Sequence, residues 1–441
     1  MQKNNQQLNL FSLTMIVVGL VIGMGIFRTA ATSAKDAIAP SVYFSAWIIG
    51  GIVALCGALT YAEIGSRYPV TGGYYKIFAK AYHPSIAFAI NCVILVSNAA
   101  SLSGVALIGS GYALKLFNGN FTDIDKALLS MLAIIIFYII NLLGLKMSAK
   151  AQNILMLIKI SMIIALIIAL FFPSNYATQN VASTAPFEWN SWIKSLGLSL
   201  IAVSFTYGGY QQSINFGSEV KNPSKNIPKG IFIGISIVII LYLLVNLSYY
   251  KVVGFEQMKN EKEIAYVIMQ KMFGTTGASI FSGFLFFGVL AYVNGLLLSN
   301  PRVMYAMGDD GILPKVFAKQ NPKTNVLTFS LTVFTIICII ILFFSQEFEK
   351  ILKFTIFLDS FGMILSSATI FWFRKKATAT DDNIYKMKLF PLMPIIFMLA
   401  YLFVATSIAI DDPKSAMIAM AVLAGFICIY FVLKHFNKNK N

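Results

Sequence analysis

The sequence predicts an all-α membrane protein of about twelve transmembrane helices, and three observations carry that expectation. Hydrophobic residues make up 58% of the 441-residue chain and charged residues only 12%, where a soluble domain needs about a quarter charged to solvate its surface. Mean hydropathy is +0.75. The apolar residues also come in long runs rather than stripes, as in Ile154–Phe172, Ile231–Tyr249, Leu327–Phe344 and Met417–Leu433, each close to the ~20 residues that cross ~30 Å of hydrocarbon.

Cutting the chain at polar, Pro and Gly clusters places the spans near 9–35, 39–65, 84–116, 126–144, 148–172, 191–219, 228–251, 275–306, 325–344, 348–374, 389–409 and 414–434. The net charge of +16 raises a nucleic-acid reading, but the basic residues are not gathered on one solvated face. They sit in short loops between spans. Most of the 34 Lys and Arg fall on the N-terminal side, including Arg67, Lys76, Lys80, Lys146, Lys150, Lys221, Lys225, Lys229, Arg302, Lys315, Arg374, Lys375 and Lys434. Glu256, Glu261, Asp411 and Asp412 lean to the other side. Positive loops stay inside, so the expectation is a multi-pass protein of the cell membrane with both termini cytoplasmic. Met1–Leu8 is polar and lacks a small-residue cleavage site, so no removable signal peptide is expected. Cys56, Cys92, Cys338 and Cys428 lie singly in apolar runs, which predicts packing roles, no disulfide framework and no metal site.

Two spans carry breaks. The first contains Gly19, Gly23 and Gly25, and the sixth reads Ser204-Phe205-Thr206-Tyr207-Gly208-Gly209-Tyr210-Gln211-Gln212. Each glycine weakens a helix by about 1 kcal/mol relative to Ala. Gly19 and Gly23 also form a GxxxG packing spacing, and no strand precedes them to make a dinucleotide loop. Their pairing with a break in span six places interruptions at matching positions of two five-span halves, as in inverted-repeat transporters. The expected organisation is one transporter domain over 1–441, with repeats at 9–172 and 191–374 and two further helices at 389–434. Discontinuous helices 1 and 6 belong to that plan.

The chain resembles the amino acid–polyamine–organocation superfamily and is similar to its L-type amino acid transporter branch. Four stretches carry the resemblance: Val18–Phe27; ALTYAEIGSRYPVTGGYY at Ala58–Tyr75; FTYGGYQQSINFGSEVKNPSKNIPKGI at Phe205–Ile231; and NPRVMYAMGDDGILP at Asn300–Pro314. The resemblance implies that N–H groups at Gly23, Met24, Gly25 and Ile26 hold a substrate carboxylate, and that carbonyls of Phe205, Thr206 and Tyr207, beside Gly208, hold its ammonium. Helix ends offer those donors and acceptors without side chains. Met24 departs from the small or hydroxyl residue usual in the family. Phe205 aligns with the aromatic that closes over substrate in relatives.

Lys159 lies near the middle of span five between apolar neighbours. A charge there is costly unless it snorkels, pairs or loses its proton. The resemblance implies that its ammonium stands where sodium-coupled relatives bind sodium, bridging spans one and eight. Gln211 in span six, Asn294 in span eight and Asp359 in span ten are further candidates for gating or contact, Asp359 because intramembrane carboxylates are functional by default. Pairing of Asp359 with Lys350 or Lys353 is the structural alternative. Glu63 and Glu219 sit at cytoplasmic span ends beside Arg67 and Lys221 and are expected to be solvated, a gate salt bridge being the alternative.

The reading is a secondary transporter for amino acids, neutral L-amino acids first, working by sodium-independent exchange or proton coupling. Its rivals are a sodium-coupled solute symporter and a cationic amino acid or polyamine permease of the same fold. Its partners are the amino acid, membrane lipid and a candidate proton, with no cofactor, no nucleic acid and no required protein partner. An enzyme is not expected, because His83 and His435 are far apart with no nucleophile or metal spacing nearby. A channel is not expected either, for want of a repeated filter.

Overall fold

In the computed structural model, residues 7–23, 25–114, 116–117, 121–171, 188–261, 263–344, 348–376 and 384–438 are described. Helices lie over each run picked out by hydropathy. They are α1 (Leu10–Val21), α2 (Gly25–Asp36), α3 (Pro40–Arg67), α4 (Gly73–Ala81), α5 (Pro84–Leu114), α6 (Asp123–Leu142), α7 (Leu145–Ile168), α8 (Trp189–Tyr207), α9 (Pro223–Val253), α10 (Phe255–Asn260), α11 (Ile264–Asp309), α12 (Thr328–Phe344), α13 (Phe348–Lys375), α14 (Leu392–Asp411) and α15 (Pro413–Lys438). Among the described residues there is no extended strand, only isolated pairings of Leu8 with Val220 and Thr71 with Phe216. The chain is a multi-pass helical membrane protein, since backbone crossing lipid must satisfy its polar groups within each segment.

Local signals explain the helix ends. Asn9 caps α1 by accepting from the Ser12 N–H at 2.7 Å, and Thr122 with Asp125 forms a capping box on α6. Proline begins α3, α5 and α9, where its missing N–H costs nothing. Burial sorts centre from rim. The α1–α2 segment is 76% buried within its most apolar stretch and α5 and α11 are each 72% buried, while α15 is 17% buried. The outer apolar residues, such as Leu128, Leu132, Ile136 and Ile139 of α6, are exposed in a row suited to lipid.

Three features differ from expectation. The stretch after span two is not simply loop: α4 is a nine-residue helix there, too short to cross a membrane. A short helical segment from Ile264 precedes span eight, separated from it by non-helical backbone at Gly274 (φ +68°), and the span itself runs on from there, where the sequence places it. Glu63 and Glu219 are not solvated ends. Glu63 is fully buried, accepting from Arg67 at 2.8 Å and Arg374 at 2.9 and 2.7 Å, and from the Met387 N–H at 2.8 Å. Glu219 is paired with Arg302 through two hydrogen bonds of 2.7 and 2.6 Å. Arg374 and Arg302 come from distant helices, while Arg67 lies one turn along α3 from Glu63.

Candidate functional site

Both expected breaks are present. Helix α1 stops at Val21, and α2 starts again at Gly25 on the same path. Helix α8 stops at Tyr207 and gives way to a 3-10 turn at Tyr210–Asn215. Between the breaks lies a small cavity of about 40 Å³. Gly23, Gly25, Phe205, Thr206, Gly208 and Gln211 line it.

Two glycines are required by close approach. A Cβ on Gly25 would stand 2.8 Å from Oγ1 and Cγ2 of Thr206, and one on Gly209, at φ +113°, would stand 2.2 Å from the Leu20 carbonyl oxygen. The broken helices therefore touch at backbone distance. Thr29 and Thr206 join their hydroxyls across that contact, each also donating or close to a carbonyl one turn back, Gly25 at 2.7 Å and Ala202 at 2.7 Å.

The freed backbone groups divide into two sets. Carbonyls at the end of α1 are already held: the Val21 oxygen accepts from Gly23 N–H at 2.8 Å and from the Tyr242 hydroxyl at 3.2 Å, and Ile22 accepts from the Lys159 ammonium. At the end of α8, Phe205 accepts from Gly208 N–H at 3.3 Å and Thr206 from Tyr242 at 3.3 Å. At the start of α2, as in any helix, the first N–H groups have no intrahelical partner, and Gly25 of that first turn lines the cavity. The arrangement offers a positive helix end beside negative ones across one cavity.

The predicted residues separate as follows. Gly23, Gly25, Phe205, Thr206, Gly208, Gln211 and Asp359 meet at the cavity. Gln211 faces inward in part, its side-chain oxygen accepting from Gly209 N–H at 2.9 Å. Ile26 is buried and does not line it. Met24 lies outside the described residues. The Tyr207 side chain points away, packing on Trp47 and Tyr242 with ring centroids 5.8 and 5.2 Å apart and bordering a separate apolar cavity with Gly50 and Val53. Asn294 is also elsewhere: it receives from Asn141 at 2.9 Å and donates to Gln152 at 2.8 Å, tying α6, α7 and α11 together.

Lys159 is fully buried and stands behind α1 rather than in the cavity. Its ammonium meets Ile22, at the break, while its methylenes pass 3.6 Å from where a Cβ on Gly288 of α11 would be. Snorkelling to the membrane surface is excluded by that contact. Asp359 accepts from the Ser97 hydroxyl at 3.0 Å. It is not paired with Lys353, which binds Asp411 at 2.7 Å instead; the Lys350 side chain lies outside those described.

Sequence reasoning missed Tyr242, which serves both breaks, and the layer that closes the terminus-bearing side of the cavity. There Gln212 donates to Asn98 at 3.0 Å, Asn98 to Asn300 at 2.7 Å and Asn215 to Ser299 at 3.0 Å, below which Arg302 grips Glu219 and lies over the Phe216 ring at 4.4 Å. The polar run after Gly209 was the only local signal of it.

A family model described as an amino acid permease matches residues 8–433. The chain is similar to the serine/threonine exchanger SteT of Bacillus subtilis (strain 168), 26% identical over 432 residues, covering 96% of each protein. It is similar to the Homo sapiens cystine/glutamate transporter, 24% identical over 423 residues, 95% of this chain and 83% of that one. The Homo sapiens large neutral amino acids transporter small subunit 2 is 23% identical over 435 residues, 97% of this chain and 80% of that one.

Proposed function

The chain belongs to the amino acid permease family, and on that premise we propose that it carries small neutral amino acids across the cell membrane by sodium-independent exchange. The observation that carries the reading is the meeting of two opened helices at one cavity, with the start of α2 and the end of α8 both lining it. A zwitterion presents both charges within a few ångströms. Its carboxylate takes the N–H groups of Gly25 and Ile26 and its ammonium takes the carbonyls of Phe205, Thr206 and Tyr207, so recognition of the shared amino-acid part needs no charged side chain.

Lys159 supplies the fixed cation. Its ammonium neutralises the negative end of α1 at Ile22, the service a bound sodium ion would otherwise give, so transport runs without one. A proton on Lys159 is the alternative coupling ion. Phe205, beside the break, closes over the substrate. The two halves, 9–172 and 191–374, rock about this fixed point as inverted repeats, with both termini cytoplasmic and no accessory protein required. The Gln212–Asn98–Asn300 chain and the Arg302–Glu219 pair form the cytoplasmic closure that opening must break.

Purified protein in proteoliposomes preloaded with unlabelled amino acid should take up labelled amino acid by counterflow, unchanged when sodium is replaced. No counterflow with any common amino acid, or uptake that requires an inward sodium gradient, would contradict the proposal.

A further inference from the structure

The broken helices account for both charges of a zwitterion, yet the cavity holds a third charge that neither pole requires. Asp359 of α13 lines the same space as Gly23, Gly25, Phe205 and Gly208. Ser97 donates to its Oδ1 at 3.0 Å, and among the described residues no second donor reaches the carboxylate. Among the described residues, no Lys, Arg or His lines the cavity. Lys353, the nearest cation on the same helix, is ~9 Å away along the axis and holds Asp411 at 2.7 Å. Lys159 is on the far side of α1, bound to Ile22.

A carboxylate offers about four acceptor sites, and in the middle of a membrane protein it needs them filled. Two pairs of polar residues in the lining are joined to each other, Ser101 with Tyr292 at 2.7 Å and Gln212 with Asn98 at 3.0 Å, and Ser204, Thr355 and Tyr401 also line the space. An occupant of the cavity can fill the acceptor positions of Asp359 that Ser97 leaves open. Once the α-carboxylate and α-ammonium are taken by helix ends, the free part of that occupant is its side chain.

We propose that Asp359 selects amino acids whose side chain ends in a hydrogen-bond donor, a hydroxyl or an amine, over aliphatic ones of the same shape. The inference rests on the permease reading and adds amine-bearing, cationic side chains to the neutral ones proposed above. A hydroxyl or ammonium at this point fills the carboxylate's open acceptor positions; a methyl leaves them facing apolar surface. A site built around a buried acceptor discriminates far more strongly than an apolar pocket that merely tolerates an extra hydroxyl.

The test is competition for counterflow by two near-isosteric pairs, threonine against valine and ornithine against norleucine, in the wild type, Asp359→Asn and Asp359→Ala. The wild type should prefer threonine to valine by on the order of 10⁴-fold and ornithine to norleucine by at least as much. Asp359→Asn, nearly the same size, should keep most of the threonine preference, because an amide oxygen still accepts from a hydroxyl, and lose that for ornithine. Asp359→Ala should lose both preferences, its folding checked by a monodisperse gel-filtration profile and thermal melting in detergent. Equal competition within both pairs in the wild type, or preferences unchanged in the two variants, overturns the inference and leaves the permease reading standing. A wild type silent with every amino acid overturns both.

Discussion

Adding one methyl group at Gly25 should disable the transporter, because the broken helices meet there without room for a side chain. An alanine Cβ would stand 2.8 Å from Thr206 Oγ1 and Cγ2 and 3.0 Å from its Cβ. Non-bonded carbons settle at about 3.5–4.0 Å, so α2 and α8 must part by roughly 0.7–1 Å and the Thr29–Thr206 hydroxyl pair must open. Overpacking of this kind costs about 1–3 kcal/mol. Conformations that keep the breaks in contact bear all of it, which at 1.36 kcal/mol per tenfold lowers exchange by about 5- to 150-fold. Thr206→Ala removes the two closest atoms, so the double variant Gly25→Ala/Thr206→Ala should recover most of the loss. The assay is counterflow in proteoliposomes at matched protein density, beside thermal melting in detergent. Wild-type exchange by Gly25→Ala, or a double variant no better than the single one, would refute the reasoning.

Further outcomes follow from the same geometry. Lys159→Ala leaves the Ile22 carbonyl without its cation, so exchange should fall by ~10² or more while the protein still reaches the membrane and purifies as a single species; undiminished exchange would count against a coupling role. Tyr242→Phe removes the donor shared by Val21 and Thr206 and should reduce exchange about tenfold, since a buried carbonyl left unmade costs about 1–3 kcal/mol; an unaltered rate would show that the hydroxyl is dispensable. Glu63→Gln leaves Arg67 and Arg374 facing a neutral amide in a buried layer. Breaking such a group costs about 3–5 kcal/mol when fully buried, and Arg374 is partly exposed, so about 2–4 kcal/mol and a lower melting temperature are expected.

Much of this architecture is written locally. Spans are legible because twenty apolar residues in a row have few other uses, and the breaks are legible because paired glycines beside polar residues are poor helix. Lys159 announces itself as a charge where charge is costly. Tyr242 does not, being one of 20 tyrosines in an otherwise apolar helix; its value comes from meeting Val21, 221 residues earlier in sequence. Glu63 looked like a solvated helix end for the same reason, since Arg374 is 311 residues away. Tyr207 shows the converse limit. A break in the backbone fixes where a carbonyl points, not which way the adjoining side chain turns, and here that ring turns to Trp47.

The most direct measurement is a substrate-bound structure of the protein in a lipid environment. Density for the amino acid should lie between Gly23–Ile26 and Phe205–Gly208, with the carboxylate on the N–H groups of α2 and the ammonium on the carbonyls ending α8. Density placed instead in the larger polar cavity beside Arg302 and Asn141, with the space between the two breaks empty, would contradict the account.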